Sequence, residues 1–316
     1  MQYLVYILTL FGVINLYFKL AVRFNIIDKP CERSSHNIPI IRGGGIIFPI
    51  GLLFWFMVTG FQYPWFFAGL ILISLVSFLD DLKQIAFWKR LLIQIAAIIL
   101  LLIQFELDPG PWWFWSFAIF AGIGIVNAFN FMDGINGMTT GYSFSVLLGL
   151  WIVNNYQVSF VDNELLYSVG GGIIVFGFYN FRSQARCFAG DVGSVSISFI
   201  LLFLLLRLLF TSGNLFYSMF LVVYGVDTFL TIFYRLIHRE NIFNPHRKHL
   251  YQLLANEYKI SHLIVSTCYT FIQLIINFSV ILAFNRLSFF YTLILSMSIV
   301  IILFGCYHAV KSKIEG

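Results

Sequence analysis

Long apolar runs separated by short polar breaks fill almost the whole chain. Runs of this kind recur at about 3–22, 44–60, 65–79, 91–105, 112–128, 138–154, 164–181, 195–212, 215–235, 263–284 and 288–308. Each is close to the roughly 20 residues that a helix needs to cross a bilayer core, although 65–79 and 91–105 are short for a straight crossing. The pattern predicts an all-α polytopic membrane protein of roughly eleven transmembrane helices, organised as a single integral membrane domain over residues 1–316. The first run has no small-residue cleavage site leading into a polar chain, so it reads as a retained span rather than a signal peptide.

Composition sharpens this picture. Of 316 residues, 60% are hydrophobic and 10% charged, whereas a soluble domain carries about 25% charged residues. The net charge of +5 is dispersed among the spans, which argues for loop bias and against a nucleic-acid footprint. Cys31, Cys187, Cys268 and Cys306 lack paired spacing, so neither a zinc site nor a disulfide framework is expected. Asn277-Phe-Ser279 has the form of a glycosylation acceptor but falls inside a predicted span.

Basic residues set the orientation. Arg23, Arg42, Lys83, Lys89, Arg90, Arg182, Arg235, Arg247, Lys248 and Lys311 all follow odd-numbered spans, whereas the opposite loops hold little beyond Arg286. The positive-inside rule then places the N-terminus outside and the C-terminus in the cytoplasm. Five internal segments carry nearly all the polar chemistry, and all five fall on the cytoplasmic side.

In residues 127–137, Asn127, Asn130, Asp133 and Asn136 recur at every third position and are followed by Gly137. A three-residue step turns a helix by about 300°, so Asn127, Asn130 and Asp133 share a face and Asn136 leaves it unless the helix opens at Gly134. Such residues either glue helices together or form a polar site at the membrane surface, and four in register favour the site. Asp80-Asp81 ends an apolar run. Neighbours on a helix point about 100° apart, so the pair does not grip one ion symmetrically; one carboxylate faces the reacting group and the other holds it through lysine or metal. The plainer reading makes them interfacial charges balanced by Lys83 and Lys89.

Gly190-Asp191-Val-Gly193-Ser194 frames a carboxylate with glycines. Asp191 there has room for Mg²⁺, which takes oxygen ligands and keeps waters or phosphates, or it acts as a helix N-cap. Gly43-Gly44-Gly45 either cradles an anion or allows close helix contact. Asp227 lies within a span, either structural or paired with Arg235 or another span. His246, Arg247, Lys248 and His249 form a basic cluster that could clamp a diphosphate or be drawn to anionic lipid. A metal site on the two histidines would lack companions in that loop.

Taken in order, Asp80-Asp81, the 127–137 segment, Gly190-to-Ser194 and His246-to-Gln252 resemble the polyprenyl-phosphate N-acetylhexosamine-1-phosphate transferases, from Pro30 to about Gln252. The last loop is most similar to the branch that initiates O-antigen synthesis. The resemblance implies an enzyme of the bacterial inner membrane with a cytoplasm-facing active site. There an undecaprenyl phosphate attacks the β-phosphorus of a UDP-N-acetylhexosamine and UMP leaves, either directly or through a covalent aspartyl intermediate.

It implies Mg²⁺, with Mn²⁺ as a substitute, on Asp191 and Asn130, and catalytic roles for Asp80, Asp81 and Asp133. Lys89 or Arg90 would meet the lipid phosphate. Arg247 and Lys248, with His246 and His249, would meet the diphosphate. Asn127, Asn136 and Asn180 would contact substrate, the last two at the uridine. The partners are thus the two substrates and membrane lipid, no nucleic acid is involved, and there is room for a homodimer. Asn136 stands where many bacterial members carry aspartate, Ser183-Gln184 where many carry Pro-Pro, and the fifth loop lacks the triple histidine of the MurNAc-pentapeptide enzyme. A competing reading makes Asp80, Asp191 and Asp227 the ion sites of a secondary transporter, but no internal repeat supports it and the acids gather at one face.

Overall fold

The computed structural model describes residues 2–28, 39–106, 111–242, 244 and 246–315. Lys29, Cys31 and Arg33 in the first internal loop, and Pro245 in the fifth, lie outside the described residues.

Every predicted apolar run is helical. The helices are α1 (Gln2–Arg23), α2 (Ile47–Val58), α3 (Pro64–Leu82), α4 (Phe87–Ile103), α5 (Trp112–Met132) and α6 (Met138–Tyr156), followed by α7 (Asn163–Asn180), α8 (Gly190–Ser212), α9 (Val222–Ile237), α10 (Leu250–Asn256), α11 (His262–Arg286) and α12 (Phe289–Glu315). A 3-10 turn over Gly44–Ile46 leads into α2, and another over Leu215–Leu221 into α9. Strands β1 (Ile27–Asp28) and β2 (Ile40–Ile41) pair antiparallel. The chain is an all-α polytopic membrane protein, and among its described residues 7 helices are long and apolar enough to cross a membrane by themselves. The expected span at 65–79 extends to 19 residues as α3, whereas the run at 44–60 yields a 12-residue helix after its 3-10 entry.

Helix α8 is the axis of the bundle. In its most apolar stretch 83% of residues are buried, against 11% in α12, so α8 is encased in protein while α12 faces lipid. Helices α2, α3, α5 and α6 pack around α8. Phe66 of α3 stacks on Phe203 of α8 with ring centroids 4.0 Å apart, and the Ser74 and Ser196 hydroxyls meet at 2.8 Å.

Polar side chains lock α6 to α11 inside the apolar bundle. The Tyr142 hydroxyl donates to Gln273 Oε1 at 2.8 Å, Gln273 Nε2 donates to Asn277 Oδ1 at 2.7 Å, and Asn277 Nδ2 donates to the Ser145 carbonyl at 2.9 Å. Away from water, such bonds have no competing solvent partner. Asn277 is 1% exposed, so the apparent glycosylation acceptor is a helix-packing residue.

Candidate active site

The polar segments meet at one end of the bundle, and glycine lets them meet. Gly43 and Gly190 adopt left-handed backbone, with φ of 76° and 70°, which a side chain disfavours. A Cβ on Gly45 would stand 2.3 Å from the Gly193 Cα, so the 3-10 turn before α2 lies backbone to backbone on the first turn of α8. The Gly44 and Gly45 amides donate to the carbonyls of Phe188 at 2.8 Å and Ala189 at 3.1 Å. Their N–H groups are spent there, so of the two readings of the glycine triplet the structure adopts close contact and not an anion cradle.

This contact delivers Arg42 to the acids at the end of α3. The two neighbouring aspartates point apart, as helix geometry requires. Asp81 accepts the backbone amides of Asp191 and Val192, both at 2.9 Å, and Arg42 Nε at 2.7 Å. It therefore caps the start of α8, where the helix dipole and free amides favour a negative charge. Asp80 accepts the Ile85 amide at 2.6 Å and Arg90 Nη1 at 2.7 Å. Asp191 lies between the two arginines, 3.4 Å from Arg90 Nη1 and 3.8 Å from Arg42 Nη2. Its side chain is 22% exposed, against 9% for Asp80 and 0% for Asp81, so Asp191 is the carboxylate open to a ligand.

The expected balancing lysines, Lys83 and Lys89, are exposed. Arginines hold the acids instead.

A small cleft beside Asp191 is lined by Ser77, Arg90, Gln94, Asn127, Asn130 and Asp191 over an apolar floor. Asn127 and Gln94 exchange amide hydrogen bonds of 3.0 and 3.4 Å, tying α5 to α4. Asn130 Nδ2 donates to Ser194 Oγ at 3.3 Å. Helix α5 ends at Met132, so Asp133 leaves the face of Asn127 and Asn130 and accepts the Thr139 hydroxyl. Burial, with the Asp191 and Asp81 charges close by, pushes the Asp133 carboxyl up to about 8.

Asn136 and Asn180, expected at the uridine, have their amides engaged with protein. Asn136 Nδ2 donates to the Arg182 and Ser183 carbonyls, each at 3.0 Å. Asn180 Oδ1 accepts the Gly137 amide at 2.9 Å, and its Nδ2 donates to the Cys187 carbonyl at 3.0 Å. Both are buried, and they stitch the turn after α5 to the loop before α8.

The fifth loop docks on the same end. The Tyr251 hydroxyl donates to the Phe131 carbonyl at 2.8 Å, and a Cβ on Gly134 would fall 2.2 Å from that hydroxyl. Asp227 pairs with His249 Nδ1 at 3.2 Å and accepts the Leu250 amide at 3.1 Å and the Tyr269 hydroxyl at 2.6 Å. Arg235, the other partner considered for Asp227, binds Glu240 at 3.1 Å and the carbonyls of Asn241, Ile242 and Asn244. Lys248 also pairs with Glu240. Burial and the nearby charges of His249 and Arg235 lower His246 to about 4. Around the site, four buried side-chain nitrogens have no hydrogen-bond partner among the described residues: Arg90 Nε, Arg247 Nε and Nη2, and His249 Nε2. Unpaired buried donors are costly, and three of the four belong to the loop that the sequence pattern assigns to an anion.

No group of three or more His, Cys, Asp or Glu side chains able to hold a metal ion occurs among the described residues. The donors around the cleft are one open carboxylate, amide oxygens and hydroxyls. An all-oxygen set with a single carboxylate suits Mg²⁺, which retains waters and substrate phosphates, better than zinc. Arg42 is the site residue that sequence reasoning missed. Its one signal is its position next to a glycine triplet that fixes the backbone.

Residues 63–209 match the family model "Glycosyl transferase family 4". A probable undecaprenyl-phosphate N-acetylglucosaminyl 1-phosphate transferase of Bacillus subtilis (strain 168) is 25% identical over 285 residues, covering 82% of this chain and 78% of that protein. An undecaprenyl-phosphate alpha-N-acetylglucosaminyl 1-phosphate transferase of Yersinia pestis is 29% identical over 264 residues, covering 75% of this chain and 71% of that protein. A phospho-N-acetylmuramoyl-pentapeptide-transferase of Heliobacterium modesticaldum is 28% identical over 181 residues, covering 49% of this chain and 56% of that protein.

Proposed function

Since the chain belongs to glycosyl transferase family 4, the polyprenyl-phosphate N-acetylhexosamine-1-phosphate transferases, we propose that it moves N-acetylhexosamine-1-phosphate from a UDP-sugar to undecaprenyl phosphate. An oxygen of the lipid phosphate attacks the β-phosphorus, the bond to the bridging oxygen breaks, and UMP departs with that oxygen. A polyprenyl-diphospho-sugar stays in the membrane. The supporting observation is the convergence of Asp80, Asp81 and Asp191 with Arg42 and Arg90 at the mouth of the amide-lined cleft.

Phosphoryl transfer asks a protein for alignment and charge neutralisation more than for covalent chemistry. Arg90 neutralises the attacking lipid phosphate, with Lys89 exposed beside it, and Asp80 holds the Arg90 guanidinium in place. Arg247, His246 and His249 receive the diphosphate, and the unpaired nitrogens of Arg247 and His249 provide its hydrogen bonds. Asp81 positions Asp191 by fixing its backbone. Asp191 and Asn130 would hold Mg²⁺, which when bound supplies charge neutralisation at the phosphates. A phosphate monoester has its second pKa near 6, so no strong general base is needed.

The site faces the cytoplasm of a bacterial inner membrane, where UDP-sugars are dissolved, and the product starts a cell-surface polysaccharide such as O-antigen. The relatives' names point to GlcNAc as the first donor to try. Purified protein is incubated with undecaprenyl phosphate, Mg²⁺ and a panel of labelled UDP-N-acetylhexosamines, and UMP and labelled lipid are measured. Transfer from one donor, abolished by EDTA and by Asp191→Asn, is the expected result. No transfer from any donor by folded protein with accessible lipid would overturn the reading.

A further inference from the structure

Asp227 is a buried acid in the middle of α9, 3% exposed, and the mechanism above does not use it. Its Oδ1 faces His249 Nδ1 at 3.2 Å and the Leu250 amide at 3.1 Å, with the Thr231 hydroxyl at 3.3 Å, and its Oδ2 takes the Tyr269 hydroxyl at 2.6 Å. Helices α9, α10 and α11 are thus joined at one carboxylate.

A carboxylate only accepts hydrogen bonds. The His249 side chain also stands in the capping position of α10, where a nitrogen lone pair would accept the helix amide. A lone pair on Nδ1 cannot also face a carboxylate 3.2 Å away without repulsion. The charged acceptor is the stronger partner, so Nδ1 carries hydrogen and points it at the carboxylate; when the ring holds hydrogen on Nε2 as well, Asp227 steadies its positive charge and Nε2 donates to an anion. The opposite nitrogen, Nε2, is buried with no partner, on a ring 2% exposed. That ring packs against His246 at 5.0 Å and Phe131 at 6.1 Å, and Phe131 lines the cleft of Asp191 and Asn130. Beside it in sequence, Arg247 Nε and Nη2 are likewise buried and unpaired.

We propose that Asp227 is a positioning residue: it anchors His249 through Nδ1, so that Nε2 is presented with Arg247 to the diphosphate of a nucleoside diphosphate. Tyr269 steadies the carboxylate from behind. The inference rests on the transferase reading, because it names the ligand that the His249 and Arg247 nitrogens receive, and it gives α9 a part in nucleotide binding without contact to the nucleotide.

Detergent-solubilised full-length protein is titrated with UDP by calorimetry, alongside steady-state turnover. Losing a charged hydrogen bond corresponds to about a tenfold or larger loss of affinity. Asp227→Asn should therefore weaken UDP by about tenfold or more and raise KM for the UDP-sugar, with KM for polyprenyl phosphate unchanged. His249→Ala should cost a similar amount, and adding Asp227→Asn to it should cost little more, because both changes remove one unit. A purely structural Asp227 would instead weaken the double variant multiplicatively or raise both KM values, and either result overturns the proposal. If Asp227→Asn does not fold, Tyr269→Phe decides: UDP binding weakened severalfold supports the role, and unchanged binding rejects it. Wild-type protein that binds no UDP defeats the transferase reading itself. Wild-type binding that Asp227→Asn leaves intact defeats only the role given to Asp227.

Discussion

Asp81 accepts the backbone amide of Asp191 at 2.9 Å, so one of the two neighbouring acids on α3 holds in place the acid that opens to the cleft. Asp80 and Asp81 are adjacent in sequence yet divide the work, one gripping Arg90 and the other the start of α8.

That division separates stability from activity. Asp81→Asn sets an amide donor against two backbone N–H groups and leaves Arg42 without its buried partner. Breaking a buried pair of this kind costs about 3 kcal/mol, so a clear fall in Tm together with loss of turnover is expected. Asp80→Asn gives up one backbone amide and a pair with a more exposed side chain, so it should lower Tm less than Asp81→Asn and still lower kcat by about a hundredfold, the scale of one lost charge-stabilising group. Thermal unfolding and steady-state kinetics on both variants check this, and equal Tm losses would contradict it.

The glycine contact beneath Arg42 predicts a second contrast. Gly45→Ala drives a methyl group into the Gly193 Cα and should destabilise by about 1–3 kcal/mol, the usual cost of overpacking. Gly225→Ala in α9 meets nothing within 4 Å and should be neutral or stabilising by about 0.5–1 kcal/mol, since alanine suits a helix interior better. The Tm values of the two variants should move in opposite directions.

Asp133 predicts a pH dependence. Burial raises its carboxyl to about 8, well above the ordinary aspartate range, so the folded state holds a proton that the unfolded state releases. The stabilisation is full below the unfolded value and is lost as pH rises through the folded one. With EDTA present, so that no cation acts on the acids, wild-type Tm should fall between pH 5 and pH 8. Asp133→Asn should flatten that slope; an identical slope in the variant would refute the assignment.

Tyr251 predicts a binding defect without a chemical one. Tyr251→Phe leaves the Phe131 carbonyl without its 2.8 Å donor, at a cost of about 1 kcal/mol, and loosens the loop that carries His249 and Arg247. KM for the UDP-sugar should rise about fivefold with kcat little changed. A matching fall in kcat would place Tyr251 closer to the chemistry than this geometry does.

The sequence pattern located the helices because apolar length alone decides where a chain can enter lipid, and each run became a helix. It also picked out Asp80, Asp81, Asn127, Asn130 and Asp191, because buried polar groups at span ends are too costly to be incidental. What it could not convey was pairing. Arg42 reaches Asp81 across nearly forty residues of chain, and His249 reaches Asp227 across 22; no local periodicity encodes either. Nor does spacing say that the amides of Asn136 and Asn180 turn to neighbouring backbone instead of the cleft, since that depends on where Gly137 turns the chain.

The place of α8 has a consequence for biosynthesis. The amides of Gly44 and Gly45 find their acceptors on Phe188 and Ala189, and α2 and α3 bury their inner faces on a helix made more than a hundred residues after them. The emerging chain must keep those early helices apart in the membrane until α8 slides between them. A nascent chain stopped before Gly190 therefore has Asp80, Asp81, Arg42 and Arg90, but no Asp191 and no surface on which the site can close.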